Sequence, residues 1–178
     1  MQHKIKEKKC ETIMNYKEMY IKSLNLSPHP EGGWYRQIYH SDDQIYDSAS
    51  KDKRYNYTSI YFMLDGTSPS HFHKLTHDEL WYYHDGSPLT IHCISEDGEY
   101  YKNDLGKDIA NGQHLQLKVP KNTVFASEVT SLTDFGLVSC VVSPGFDFRD
   151  FSLVSKHQIL SMNNSDNVKK IVDRLTIN

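Results

Sequence analysis

The residues best equipped for chemistry lie in the run from Gly66 to Gly86, Gly-Thr-Ser-Pro-Ser-His-Phe-His-Lys-Leu-Thr-His-Asp-Glu-Leu-Trp-Tyr-Tyr-His-Asp-Gly. His71 and His73 are separated by one residue, and Glu79 follows a short connection later. In an extended strand alternate side chains share a face, so His71 and His73 point one way and Phe72 the other. A second strand beginning at Glu79 puts Glu79, Trp81 and Tyr83 on one face. Where both faces front one interior, two imidazoles and a carboxylate converge. With open positions beside them, these three donors suit a divalent transition metal such as Zn, Fe, Mn or Ni. Without a metal, Glu79 on an aromatic wall is desolvated and its pKa rises, while a charged His73 beside it lowers it again. His73 and Glu79 then form a general acid and base of the kind used in isomerisation or epimerisation. A buried structural ion pair would use the same residues.

The composition narrows the setting. The 178 residues suit one domain with a sizeable core. A net charge of −3 and no basic patch argue against a nucleic-acid partner. Mean hydropathy is −0.64, and no apolar run approaches the ~20 residues a membrane helix needs, so no membrane association is expected. The basic N-terminus has no apolar stretch behind it and does not read as a signal peptide. Cys10, Cys93 and Cys140 are odd in number and far apart, which reads as free thiols in a reducing, cytoplasmic setting. Twelve tyrosines and seven phenylalanines fit a sheet-rich core or an aromatic-lined pocket.

The elements that must position these residues follow from the pattern. Residues 1–14 read as a disordered leader. Asn15, with Glu18 in capping-box position, starts a helix whose stripe is Tyr16, Met19, Tyr20 and Leu24, and Pro28 and Pro30 end it. Glu31-Gly32-Gly33 is a turn into a strand over 34–39. The polar stretch 41–54 reads as an unstructured surface loop. Strands are expected over 57–64, 79–84, 89–94, 99–102, 114–119, 124–129 and 136–142, with Asp97-Gly98 as the strongest hairpin signal. Leu115, Leu117 and Val119 are expected to point inward. Eight to ten short strands indicate an all-β sandwich or barrel. Ser165 caps a terminal helix that buries Val168, Ile171, Val172 and Leu175. The expected organisation is a leader 1–14, one domain over 15–160, and a C-terminal helix 161–178 packed on it.

In this context Gly66, His71-x-His73, Glu79 and Gly86 resemble the first motif of the cupin superfamily, and Gly112 with Val119-Pro120-Lys121-Asn122 resembles the start of the second. The segments 26–36 (Leu-Ser-Pro-His-Pro-Glu-Gly-Gly-Trp-Tyr-Arg), 58–64, 70–73, 78–81 and 143–151 (Ser-Pro-Gly-Phe-Asp-Phe-Arg-Asp-Phe) are similar to the Cupin_5 (DUF985) family, over about residues 20–155. The resemblance implies an all-β double-stranded β-helix, the cupin jelly-roll barrel, with an N-terminal helix and a short C-terminal helix. It also implies a homodimer formed through strand exchange or sheet edges. In metal-binding cupins the second motif supplies a further histidine. The matching position here is Phe125, so the four-ligand cage does not carry over whole.

What remains is a ligand pocket with His73, Glu79 and Trp81 on one wall, Tyr61, Tyr83 and Phe125 around it, and His71 at a position variable in the family. The Pro28-His-Pro-Glu31-Gly-Gly run edges that pocket or a subunit contact. Arg36 is the nearby cation, with a fork suited to a ligand carboxylate or phosphate, or else to a surface salt bridge. His77 and His84 are expected to face solvent. Three functions fit: a cupin that binds a small molecule such as a sugar, nucleotide or small acid; an enzyme, either a metal-free epimerase or isomerase or a metal-dependent oxygenase-like protein; and a non-catalytic structural or storage jelly roll. Fold alone does not choose among them.

Overall fold

A computed structural model describes residues 16–177. The leader 1–14, Asn15 and Cys10 lie outside the described residues. Helix α1 runs through residues 16–23, and its apolar side sets Tyr20, Ile21 and Leu24 against Leu26, Met63, Phe135 and Leu137. The strands follow as β1 (Ser27–Pro28), β2 (Trp34–His40), β3 (Gln44–Asp47), β4 (Asp52–Tyr55), β5 (Thr58–Asp65), β6 (Ser70–Leu75) and β7 (Asp78–Gly86). Then come β8 (Leu89–Ile94), β9 (Tyr100–Leu105), β10 (Gln116–Val119), β11 (Val124–Glu128), β12 (Phe135–Ser143) and β13 (Phe151–Leu153). Helices α2 (Lys156–Met162) and α3 (Asp166–Val172) close the chain.

The strands form a six-stranded sheet in the order β1-β2-β5-β12-β7-β10 and a five-stranded sheet in the order β13-β6-β11-β8-β9, each paired antiparallel throughout. Sequence neighbours such as β5 and β6, or β7 and β8, sit in opposite sheets, and this alternation makes the two sheets a jelly roll. β12 lies between β5 and β7 and is buried along most of its length, as its apolar run Gly136–Val142 requires. The main core fills the space between the sheets with Phe62, Leu64, Trp81, Leu89, Ile91, Phe125 and Val138. A second core lies outside the smaller sheet, where α2 and α3 cover Phe72, Ile94, Val124 and Ala126. Ser165 caps α3 as expected; Val168, Ile171 and Val172 are its buried face, and Leu175 is buried just beyond its end. No helix among the described residues is long and apolar enough to cross a membrane.

Away from the cavity, the structure departs from the sequence reading in four places. The stretch 41–54 is a two-stranded hairpin, β3–β4, and it is anchored by charge. Arg54 is buried and forks onto Asp150, with Nε to Oδ2 at 2.6 Å and Nη2 to Oδ1 at 3.0 Å. His77 is buried too, its Nε2 lying 3.1 Å from Asp47 Oδ2, so it does not face solvent. A segment that buries paired charges in place of apolar side chains carries no hydrophobic period to betray it. Leu115 precedes β10 and is 51 % exposed, whereas Val119 is buried. Helix α2 was not expected; it starts at a capping box in which Ser155 and Gln158 satisfy each other's backbone groups.

Candidate functional site

At one end of the barrel the sheets part around a cavity of about 350 Å³. Three elements bring ionisable groups to its buried floor. The strap between β1 and β2 contributes His29 and Glu31, β6 contributes His73, and β7 contributes Glu79. The strap lies against β6 because of Gly32. With φ at +113°, a Cβ there would come within 1.9 Å of the Pro69 carbonyl oxygen. Two further contacts hold the strap. The His71 backbone N–H donates to the Glu31 carbonyl at 2.8 Å, and the His71 ring places Nδ1 2.6 Å from the same oxygen.

The Glu31 carboxyl group reaches inward. Its Oε1 accepts from Ser70 Oγ at 2.8 Å, and its Oε2 lies 3.3 Å from His73 Nε2 and 3.5 Å from His29 Nδ1. The network fixes both tautomers. His73 Nδ1 is 2.7 Å from the His71 carbonyl, which only accepts, so Nδ1 carries the proton and the unprotonated Nε2 lies toward Glu31. The Glu31 backbone N–H donates to His29 Nδ1, which makes that nitrogen an acceptor as well. Glu79 accepts from Trp81 Nε1 at 2.9 Å and from the Cys140 thiol.

Burial dominates the electrostatics. It pushes Glu31 up to about 8, against a smaller downward pull from the Ser70 hydroxyl. It pushes Glu79 to about 8 as well, helped by the Glu31 charge. His73 and His29 move the other way, down to about 4, again through burial; the neighbouring His73 adds to the effect at His29. Cys140 is held well above the ordinary thiol range by burial and the adjacent acids, and stays protonated. The floor is therefore uncharged at neutral pH, with two carboxylic acids beside two neutral imidazoles. The Glu31 carboxyl group and His73 Nε2 face each other across this floor at 3.3 Å.

The residues singled out from the sequence separate into groups. His73, Glu79 and Arg36 line the cavity. Trp81 and Phe125 are buried one layer behind it, with the Phe125 ring 4.0 Å from the His73 ring. Tyr61 points away from the cavity, because on β5 the inward residues are Thr58, Ile60 and Phe62; it packs near His84 and in the cluster around Met63. Tyr83 packs against the core and donates its hydroxyl to the Gly86 carbonyl at 2.5 Å. His71 is spent on the strap backbone, so His71, His73 and Glu79 do not meet at one point. Among the described residues no three His, Cys, Asp or Glu side chains are grouped to hold a metal ion. The His71 ring is turned to the Glu31 carbonyl, and the phenyl ring of Phe125 fills the fourth position. This donor set does not fit the metal cage of other cupins.

The sequence reading left Glu31 and His29 at the edge of the pocket, and the structure puts them at its floor. Their signal was the Pro-His-Pro-Glu-Gly-Gly run itself, in which two glycines follow an ionisable pair.

A model of the family Cupin_5, described as Cupin superfamily (DUF985), matches residues 18–154. The chain belongs to this family. Two solved structures are similar over nearly their whole lengths. A hypothetical protein from Leishmania major is 34 % identical, with 90 % of this chain and 98 % of that one covered and a TM-score of 0.83. A Shewanella oneidensis protein is 42 % identical, with 90 % and 96 % covered and a TM-score of 0.80. A cupin 2 domain-containing protein from Halorhodospira halophila, 8 % identical with 81 % and 85 % covered and a TM-score of 0.53, shares the fold of this cupin. No curated protein matches the chain.

Proposed function

We propose that this Cupin_5 protein binds a small molecule in the open end of its barrel and moves a proton on it, as an isomerase or epimerase does. The observation that carries the reading is the 3.3 Å approach of Glu31 Oε2 to His73 Nε2 at the floor of the cavity. An acid kept protonated beside a base kept neutral, both out of water, is a poised donor and acceptor. A ligand carbonyl seated over the pair receives the Glu31 proton on oxygen while His73 Nε2 takes a proton from the adjacent carbon, giving an enol. Where the adjacent carbon bears a hydroxyl the intermediate is an enediol. Glu31 then recovers a proton from that hydroxyl while His73 delivers its proton to the former carbonyl carbon, completing an isomerisation. In an epimerisation Glu31 recovers the enol proton and the turned enol takes the His73 proton on its other face. Glu31 and His73 end as an ion pair part-way through and as neutral partners at the close, so no net proton is consumed.

The test is solvent exchange. Aldoses, ketoses and 2-keto acids incubated with the protein in D₂O are expected to gain deuterium beside the carbonyl. Glu31→Gln and His73→Gln each lower the rate by about 10²-fold or more. Absence of exchange on every compound, or exchange at an unchanged rate in both variants, refutes the proposal.

A further inference from the structure

The four arginines of the sequence are not equivalent. Arg54 is forked onto Asp150, Arg149 pairs with Asp147 and Asp52, and Arg174 holds Glu128 through two nitrogens. Arg36 pairs with no carboxylate among the described residues, and it is the one arginine that lines the cavity. Its Nη1 donates to the Leu24 carbonyl at 3.1 Å, which fixes the guanidinium while Nε and Nη2 keep their donors for something else. Arg36 and its neighbour Gln37 are exposed, and Asn25 and Ser27 join them at the entrance, whereas Glu31, His73 and Glu79 are buried. Between entrance and floor the walls include the apolar Ile60, Phe62, Val142 and Phe146, while the exposed Phe148 stands at the entrance. The cavity thus has a cationic mouth, an apolar waist and an uncharged, hydrogen-bonding floor.

We infer that the cavity takes a small organic anion, its carboxylate or phosphate on Arg36 at the mouth, its apolar body at the waist and an uncharged carbonyl or hydroxyl at the floor. The inference rests on the reading of the cavity as the ligand site, and it adds the ligand's class and direction. The direction follows from charge. An anion at the floor would face Glu31 and Glu79, two acids that already resist ionisation. At the mouth it meets a guanidinium whose fork matches its oxygens and keeps part of its hydration. The surface salt bridge that the sequence left open for Arg36 has no acidic partner among the described residues, so the guanidinium is available for a ligand.

Calorimetric titration with three probes that share a phenyl ring tests this on the full-length protein. para-Acetonylbenzoate carries a carboxylate across the ring from a ketone, para-acetonylphenyl phosphate carries a phosphate in the same place, and phenylacetone carries the ketone without an anion. At least one anion is expected to bind about tenfold tighter than phenylacetone, and which of the two does so identifies the head group. Arg36→Gln should weaken that anion by about 10- to 100-fold and leave phenylacetone unchanged, and Arg36→Lys should restore part of the loss. The exposed position lets both variants fold, which melting curves verify. Equal binding of anion and neutral ketone overturns the inference. So does an Arg36→Gln protein with wild-type anion affinity, and so does failure of both anions to bind up to about 10 mM, a concentration at which even very weak binding registers. Proton exchange is read separately on phenylacetone, whose binding does not depend on Arg36. Loss of exchange therefore leaves this result standing, and loss of the Arg36 effect leaves the exchange standing.

Discussion

Replacing Glu31 by glutamine should change how stability depends on pH. Glutamine matches the protonated acid in shape and keeps the Ser70 contact, but it never ionises. In the wild-type protein Glu31 titrates near 8, against 4.5 for an ordinary glutamate. Between those values the folded chain holds a proton that the unfolded chain has lost. The contribution is fully present below 4.5 and is lost as pH rises through 8. Glu79 behaves in the same way. His29 and His73 work in the opposite sense, because the unfolded chain binds protons up to 6.5 and the folded one only below about 4. Two carboxyls and two imidazoles therefore nearly cancel between about pH 4.5 and 6.5. Above 6.5 only the carboxyls remain. The stretch from 6.5 to 8 spans about 1.5 pH units, and a fully developed difference of one proton is worth ~1.4 kcal/mol per unit. Glu31 alone then costs about 2 kcal/mol over that window, and Glu79 a similar amount.

Removing Glu31 also removes the charge that helps hold Glu79 up, so the slope of the variant should be at most half that of the wild type. For a chain of this length about 2 kcal/mol is roughly 4–8 °C in Tm. Thermal melts and urea titrations of both proteins at pH 6.5, 7.2 and 8 would measure the difference. A wild-type Tm that stays flat or rises across the window refutes the reasoning, as does a Glu31→Gln protein with the same slope as the wild type.

Three other expectations follow from contacts away from that titration. Arg54→Leu leaves Asp150 buried without its fork and should cost about 3–5 kcal/mol in urea denaturation; an effect under about 1 kcal/mol would mean that water already solvates the pair. Gly32→Ala puts a methyl group into the Pro69 carbonyl and strains a positive φ, so the strap must lift. The expected result is loss of solvent exchange together with at least about 2 kcal/mol of stability, and wild-type exchange in a variant of normal stability would show that the strap does not position Glu31. Ser165→Ala removes the cap of α3, whose hydroxyl accepts from the Val168 N–H, and should cost about 1 kcal/mol with no effect in the exchange assay.

Much of this cupin is legible without coordinates, for definite reasons. Strands buried on both faces read as short, nearly continuous apolar runs, so β5, β8, β11 and β12 announce themselves by their apolar and β-branched residues. Ser165 with the stripe Val168, Ile171, Val172 and Leu175 marks α3 for the corresponding helical reason. The hairpin β3–β4 was hidden because its anchors are Asp47 and Arg54, and a sequence does not reveal that a charge is buried until its partners, His77 and Asp150, are seen beside it. Tyr61 shows the sensitivity of the period: the choice of one residue over its neighbour decides whether a side chain meets the cavity or the outer face.

Residue order is enough to read the jelly roll, the family, and a histidine and a glutamate that face one interior. Which groups meet there follows from packing. His73 finds Glu31, 42 positions earlier in the chain, because the two glycines after Glu31 let a strap with no regular structure lie on β6. His71, only two positions from His73, turns to hold that strap. Chain spacing governs the face on which a residue sits, whereas long-range packing governs what stands opposite, and the protonation of this site depends on the second.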